Sequence, residues 1–280
     1  MRSVIAVLAA SLALCVASAH AADTITWLTN DLPPQYIVEG ELAGQGIKDQ
    51  QLRLIEAQTP EFQHRRVLAS ISRLWHEIPH TDGICGLGAQ RTPEREKVAA
   101  FSRRPVLVPG FRVIAKTDTA PLFKPFLTAQ GEVDMTALLQ ARKLNGAYAA
   151  DRIYPVPVSD YIASSDRRAA IDKTLDNERL FQLLRSNRVD FVFGLAYEAA
   201  YYSWEMGAEE SVVSLPIKDA PRLVSGYAAC SDRPIGRAMI AKIDALQADE
   251  KTWRALLNPL KRWLDPADFN VALAGTGDMR

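Results

Sequence analysis

Residues 82–102 read Asp82-Gly-Ile-Cys-Gly-Leu-Gly-Ala-Gln-Arg-Thr-Pro-Glu-Arg95-Glu-Lys-Val-Ala-Ala-Phe101-Ser102. The stretch spells a short buried strand, a tight loop, a helix start that carries an arginine, and a return. Glycine in or just after a strand marks a close approach of the backbone, which is the expected use of Gly86 and Gly88. Thr92 suits an N-cap, Pro93 the first helical position, and Glu94 the positive end of a helix. Arg95 then falls in the first turn, among free backbone N–H groups that already favour an anion. A guanidinium fork there is able to grip a carboxylate bidentately. The alternative for Arg95 is a surface salt bridge to a neighbouring carboxylate.

Upstream of this stretch the chain alternates. Thr24–Thr29 is β-branched and aromatic, as strands are, and Pro33-Pro34 stops the ladder. Gly44-Gln-Gly46 leads into a helix ending near Gln58. Arg65–Ala69 is a second strand, and Ser70 caps a short helix carrying Leu74, Trp75 and Ile78. A β-α-β-α-β order of this kind belongs to an α/β sheet covered by helices. Downstream, Val106–Ala115 reads as one long strand bent at Pro109-Gly110. After a looser stretch, Lys116–Gln130, the pattern restarts. A helix is expected at 132–141, a strand at 143–147, a helix at 177–186, a strand at 189–193 and a helix at 196–206. A strand at Arg222–Cys230 and two helices with core-facing stripes, Ile235/Met239/Ile243/Leu246 and Trp253/Leu256/Leu257/Leu260/Trp263, complete the chain. Two similar α/β units in succession predict two lobes.

The N-terminus has Arg2, an apolar run from Val4 to Val16, and the small-x-small pattern Ala19-His20-Ala21. Those features spell a secretory signal over residues 1–21, cleaved after Ala21, whose apolar part is short for a membrane span. Leu14 stands before Cys15 where lipid-modified proteins carry a small residue, which argues against a lipid anchor. Loss of 1–21 removes one charged side chain, Arg2, from the 33 basic and 33 acidic residues, leaving 32 against 33. Such neutrality provides no reason to expect a nucleic-acid or anionic-membrane partner. Cys85 and Cys230 remain, in an oxidising compartment.

The strand–loop–arginine block, with Phe101-Ser102, Pro33-Pro34, the Gly44–Asp49 lead into the first helix and Arg188-Val-Asp190, resembles the family 3 bacterial extracellular solute-binding proteins. The resemblance implies a two-lobed α/β periplasmic-binding-protein type II fold, each lobe a sheet covered by helices, with two crossovers at a hinge near Ala115 and Arg222. It places lobe one at 22–113 plus 222–280 and lobe two at 114–221. It also makes the strands of Cys85 and Cys230 neighbours, so that a disulfide competes with two free thiols. By the same resemblance a small-molecule ligand sits between the lobes of a monomer and a membrane permease of the ABC type receives it. Candidate contacts are Arg95 as anion anchor, Gly88 and Gln90 on the loop, and Asp31 and Tyr148. A sensor subunit docking on a membrane signalling receptor is the second reading, and a cleft enzyme of the cyclohexadienyl dehydratase type the third.

Departures from the family pattern bear on the ligand. Gln90 stands where amino-acid-binding members offer a hydroxyl, and Gly194-Leu195 where they place an aspartate for the ligand's ammonium. A desolvated ammonium needs an anionic partner, because an unpaired buried charge costs several kcal/mol. The ligand is therefore expected to carry a carboxylate without the zwitterionic head of an amino acid. Asp151 and Glu198 are the carboxylates near enough in sequence to replace the aspartate. Each reads first as a solvated surface group. Trp27 reads as core, whereas Tyr36, Tyr148 and Tyr154 are each open between core and cleft wall. No cofactor is expected. His76 and His80 share a spacing that suits zinc, but Pro79 lies between them and no further ligand motif accompanies them. No nucleophile elbow or dinucleotide loop is present, so no catalytic residue is assigned.

Overall fold

The computed structural model describes residues 22–150, 152–165, 171–174, 177–207 and 212–277. The segment expected to be a secretory signal and Asp151 lie outside the described residues. Among the described residues eleven strands form two sheets. The first contains β1 (Thr24–Thr29), β2 (Gln63–Leu68), β3 (Ile84–Ala89), β4 (Ala99–Phe101), β5 (Val106–Pro109) and β11 (Leu223–Ser231). Its order is β2-β1-β3-β11-β4, with β5 paired to the other end of β11. The second contains β6 (Arg112–Lys116), β7 (Gly146–Ala149), β8 (Ile171–Thr174), β9 (Phe191–Gly194) and β10 (Val212–Pro216), in the order β10-β6-β9-β7-β8.

The segment from Val106 to Lys116 is two strands in two sheets. β5 pairs antiparallel with β11, and β6 with β9 and β10. The break falls at Gly110-Phe111, ahead of the expected lobe boundary, since Arg112 and Val113 already pair in the second sheet. Gly110 donates its N–H to the Arg222 carbonyl at 2.8 Å. A Cβ on Gly110 would lie 2.0 Å from the Pro221 carbonyl oxygen, so only glycine lets the two crossover strands touch there.

Helices cover both sheets. In the first lobe they are α1 (Ile47–Gln58), α2 (Ile71–Glu77), α3 (Pro93–Glu96), α8 (Pro234–Ala248), α9 (Glu250–Leu257) and α10 (Pro266–Gly277). In the second they are α4 (Met135–Ala141), α5 (Val156–Ser165), α6 (Asn177–Arg185) and α7 (Ala196–Met206). A 3-10 segment, Ala120–Phe126, occupies part of the stretch expected to be loose, and its Phe123 packs edge-on to Phe191 with centroids 5.8 Å apart. The C-terminal part has three helices where two were expected. α10 packs on β5, and its Asp268 holds Arg112 at the crossover at 2.5 Å. No helix among the described residues is long and apolar enough to cross a membrane.

The first-lobe core centres on Trp27, Leu52 and Trp253, all at most 1% exposed. Cys85 and Cys230 are paired in register across β3 and β11 and joined by a disulfide that links residues 145 apart in sequence. The second-lobe core is aromatic, with Phe123, Phe191, Phe193 and Tyr161 packed edge to face.

Candidate ligand-binding site

A cavity of about 240 Å3 opens between the two lobes. Three local structures set its walls. In the first, Thr92 caps α3, its hydroxyl accepting the Arg95 N–H at 3.3 Å, with Pro93 in the opening turn. That geometry turns the Arg95 side chain back along β3. Its guanidinium lies over the Trp75 ring, 4.1 Å from the centroid, and donates from Nη1 to the Gln90 carbonyl at 3.0 Å. Among the described residues it forms no ion pair, so no described carboxylate makes the surface salt bridge of the alternative reading. Burial against Trp75 lowers its pKa, the direction expected of a cation without an anionic partner.

The second structure is the start of α1. The Asp49 carboxylate accepts the N–H groups of Gly46 at 3.1 Å and Ile37 at 3.0 Å, and the Lys48 N–H donates to the Gln35 carbonyl at 2.7 Å. The helix start is thereby tied to the loop after β1. Lys48 points its ammonium over the Tyr36 ring, 5.5 Å from the centroid, and against Gly88. The φ at Gly88 is +75°, a backbone conformation that requires glycine, and a Cβ there would sit 2.3 Å from Lys48 Nζ and displace the end of that side chain. No hydrogen bond or ion pair satisfies the Lys48 ammonium among the described residues. Burial pushes its pKa down to about 8, against the charge of Glu198, which pulls it up.

The third is the loop after β7. The Tyr154 hydroxyl accepts the Ala149 N–H at 3.0 Å, closing a short loop that carries Arg152 and Ile153 onto the cavity wall. Arg152 Nη1 donates to Glu198 Oε2 and to Asn177 Oδ1, each at 2.9 Å, while the guanidinium covers the Phe111 ring at 4.9 Å. Glu198 also accepts the Leu195 N–H at 2.7 Å, holding the first turn of α7. Its side chain is fully buried behind Arg152, which corrects its reading as a solvated surface group. Burial is the largest single influence on the Arg152 pKa and would lower it, yet the Glu198 charge and hydrogen bond together with the nearby Tyr154 and Tyr197 outweigh it, and the net shift is upward. Across the cleft Gln35 Nε2 of the first lobe donates to the Tyr197 hydroxyl of the second at 2.6 Å.

Among the candidates named from sequence, Arg95, Gly88 and Gln90 are brought together on this wall. Asp31 is not. It is exposed and accepts the Val38 N–H at 3.4 Å, because its strand turns away after Asn30. Tyr148 is not on the wall either. Every residue of β7 is buried, and its ring packs on Tyr154 in the second-lobe core. Trp27 is core, with its indole N–H on His64 Nδ1 at 3.2 Å, and Tyr36 is buried yet reaches the cavity. Sequence reasoning missed Lys48, Arg152, Gln35 and Tyr197. Lys48 left a trace: a cation in the first turn of a helix opposes the macrodipole, and such a broken rule flags a functional position.

Two sheets joined by two crossover strands, with helices on their faces and a cleft between them, define the type II periplasmic-binding-protein fold. Solved structures agree. The chain superposes on the periplasmic VFT2 domain of Bordetella pertussis BvgS with a TM-score of 0.58 at 15% identity, over 86% of this chain and 93% of that one. It superposes on the GluR0 ligand-binding core from Nostoc punctiforme, in complex with L-glutamate, with a TM-score of 0.58 at 16% identity, over 86% and 100%. For the probable amino-acid ABC transporter extracellular-binding protein ytmK from Bacillus subtilis the TM-score is 0.61 at 12% identity, over 87% and 99%. No family model matches the chain, and no curated protein matches it in sequence.

Proposed function

We propose that this protein is exported to the periplasm, captures a small carboxylate-bearing solute between its lobes, and presents it to an ABC-type membrane permease. The observation that carries the reading is the charge of the cavity wall. Lys48, Arg95 and Arg152 line it, and no aspartate or glutamate does among the described residues. An anion entering this space meets donors already held in place, whereas an α-ammonium meets no partner. The fold supports capture by lobe closure, in which a ligand that prefers the closed state shifts the population toward it. Gln90 and Gly88 contribute wall and backbone contacts beside Arg95.

The test is a thermal-shift screen of the purified protein, refolded to strip carried ligand, against organic acids, amino acids, sugars and peptides. A ligand at a hundred times its Kd stabilises by about 2.7 kcal/mol, or roughly 5–10 °C at this size. Organic acids are expected to score, and Arg95→Ala is expected to weaken the hit by about 30-fold or more, as truncation of one partner of a buried charge pair does. An unchanged affinity in that variant, or hits confined to sugars, would refute the reading. Uptake of the labelled hit by cells with and without the gene tests delivery to a permease.

A further inference from the structure

The cations around the cleft are not all paired, and those left unpaired specify the ligand further. Three cationic side chains line one cavity, from α1, from α3, and from the loop after β7. Two buried carboxylates stand behind the wall: Glu198 is committed to Arg152 and to the α7 N-terminus, and Asp49 to the backbone N–H groups of Gly46 and Ile37. Neither forms an ion pair with Lys48 or Arg95. Those two cations on the wall are therefore the side chains without an ionic partner among the described residues.

Their environments separate them. Arg95 is anchored by Trp75 and the Gln90 carbonyl, and its remaining N–H groups are those of a planar fork suited to a carboxylate. Lys48 is a compact point charge resting on Gly88 and the face of Tyr36. Nothing in apolar packing explains an ammonium in that position. A methionine of similar length would fill the space without the desolvation cost. The ammonium lies at the cleft end of a helix whose first-turn dipole opposes a cation, so it is held where its charge is unfavourable until an anion arrives.

We infer that Lys48 and Arg95 form a two-point anion site and that the ligand is a small non-amino-acid dicarboxylate, one carboxylate on the Arg95 fork and the other on the Lys48 ammonium. A dianion pairs both of these cations, whereas a monocarboxylate leaves one desolvated and unpaired. Arg152, already neutralised by Glu198, acts as an oriented hydrogen-bond donor from the opposite lobe. This inference rests on the reading of the cleft as an anion-binding site and adds the number of anionic groups.

The experiment is titration calorimetry of the purified full protein with succinate, glutarate, butyrate, glutamate and inorganic phosphate, on wild type, Lys48→Met and Arg95→Ala. Succinate or glutarate is expected to bind wild type at least tenfold more tightly than butyrate. Lys48→Met is expected to weaken the dicarboxylate by about 30-fold or more, the low end for a buried charge pair, and to leave butyrate within about threefold. The melting midpoint of ligand-free Lys48→Met is expected to rise, which separates lost binding from lost folding. Equal affinities for butyrate and dicarboxylates, with Lys48→Met altering neither, overturn the two-point site but leave the anion-binding reading standing. Tighter binding of glutamate or phosphate than of either dicarboxylate overturns the assigned ligand class. Binding of no anion at all overturns both.

Discussion

The two arginines of the cleft face one cavity from opposite lobes and solve opposite problems. Arg152, on the second lobe, is buried with its counter-charge. Glu198 sits 2.9 Å away and Asn177 takes a second bond. Arg95, on the first lobe, lies on an aromatic face with one backbone carbonyl and no carboxylate among the described residues. The first arrangement belongs to folding, since removal of either partner strands a charge in a protein interior. The second fits the proposed binding role, in which the missing partner arrives from outside. A buried ion pair in a cleft is thus weaker evidence for a ligand contact than a desolvated cation that lacks one.

Four measurements break or sharpen that contrast. The largest effect is expected for Glu198→Ala, which leaves Arg152 uncompensated and should cost about 3–5 kcal/mol of stability in denaturant melts. A loss under about 1 kcal/mol would show that the second-lobe pair is not structural. Next is replacement of both Cys85 and Cys230 by alanine. The bridge closes a chain segment of 145 residues, and its loss should cost about 2–5 kcal/mol. Thiol titration of denatured, unreduced protein should find neither Cys85 nor Cys230 free. Arg95→Ala is expected to move stability by less than about 1 kcal/mol while it removes binding, the reverse of Glu198→Ala.

The smallest effect is a slope. The folded-state pKa of Lys48, about 8, lies below its ordinary 10.5, so the unfolded chain binds the extra proton between those values. Stability should therefore rise with pH from about 8 toward 10.5 through this residue. The difference between wild type and Lys48→Met in pH-dependent melts isolates the contribution. A difference that is flat across this window would show that Lys48 is solvated as in the unfolded chain.

Legibility in the sequence followed the same division. The arginine loop was readable because its determinants are local: Thr92 as cap, Pro93 in the first turn, and Gly88 at positive φ lie within a few residues of Arg95. Helices α1, α6 and α7 were also readable, from regular apolar spacing and turn signals. The missed elements lack such signals. β10 is a half-buried edge strand of five residues, and α10 carries Gly275 and Gly277, which read as breakers. The strand expected at 143–147 lies at 146–149 because pairing with β8 and β9 sets its register, and that partner is remote in sequence.

By itself the sequence determined the α/β alternation, two α/β units in succession with a bend at Pro109-Gly110, and an arginine poised at a helix start. Those are consequences of backbone propensity and apolar period, which act over a few residues. That the bend is where the chain changes sheets came from strand pairing. Only the tertiary structure decided which charges face the cleft. Lys48 and Arg95 are 47 positions apart, and Arg152 and Glu198 are 46 apart. Whether a cation is paired or left waiting depends on distances of a few ångströms between segments that sequence order does not relate. The long-range nature of Coulomb energy in a desolvated space is why that decision is made by the fold.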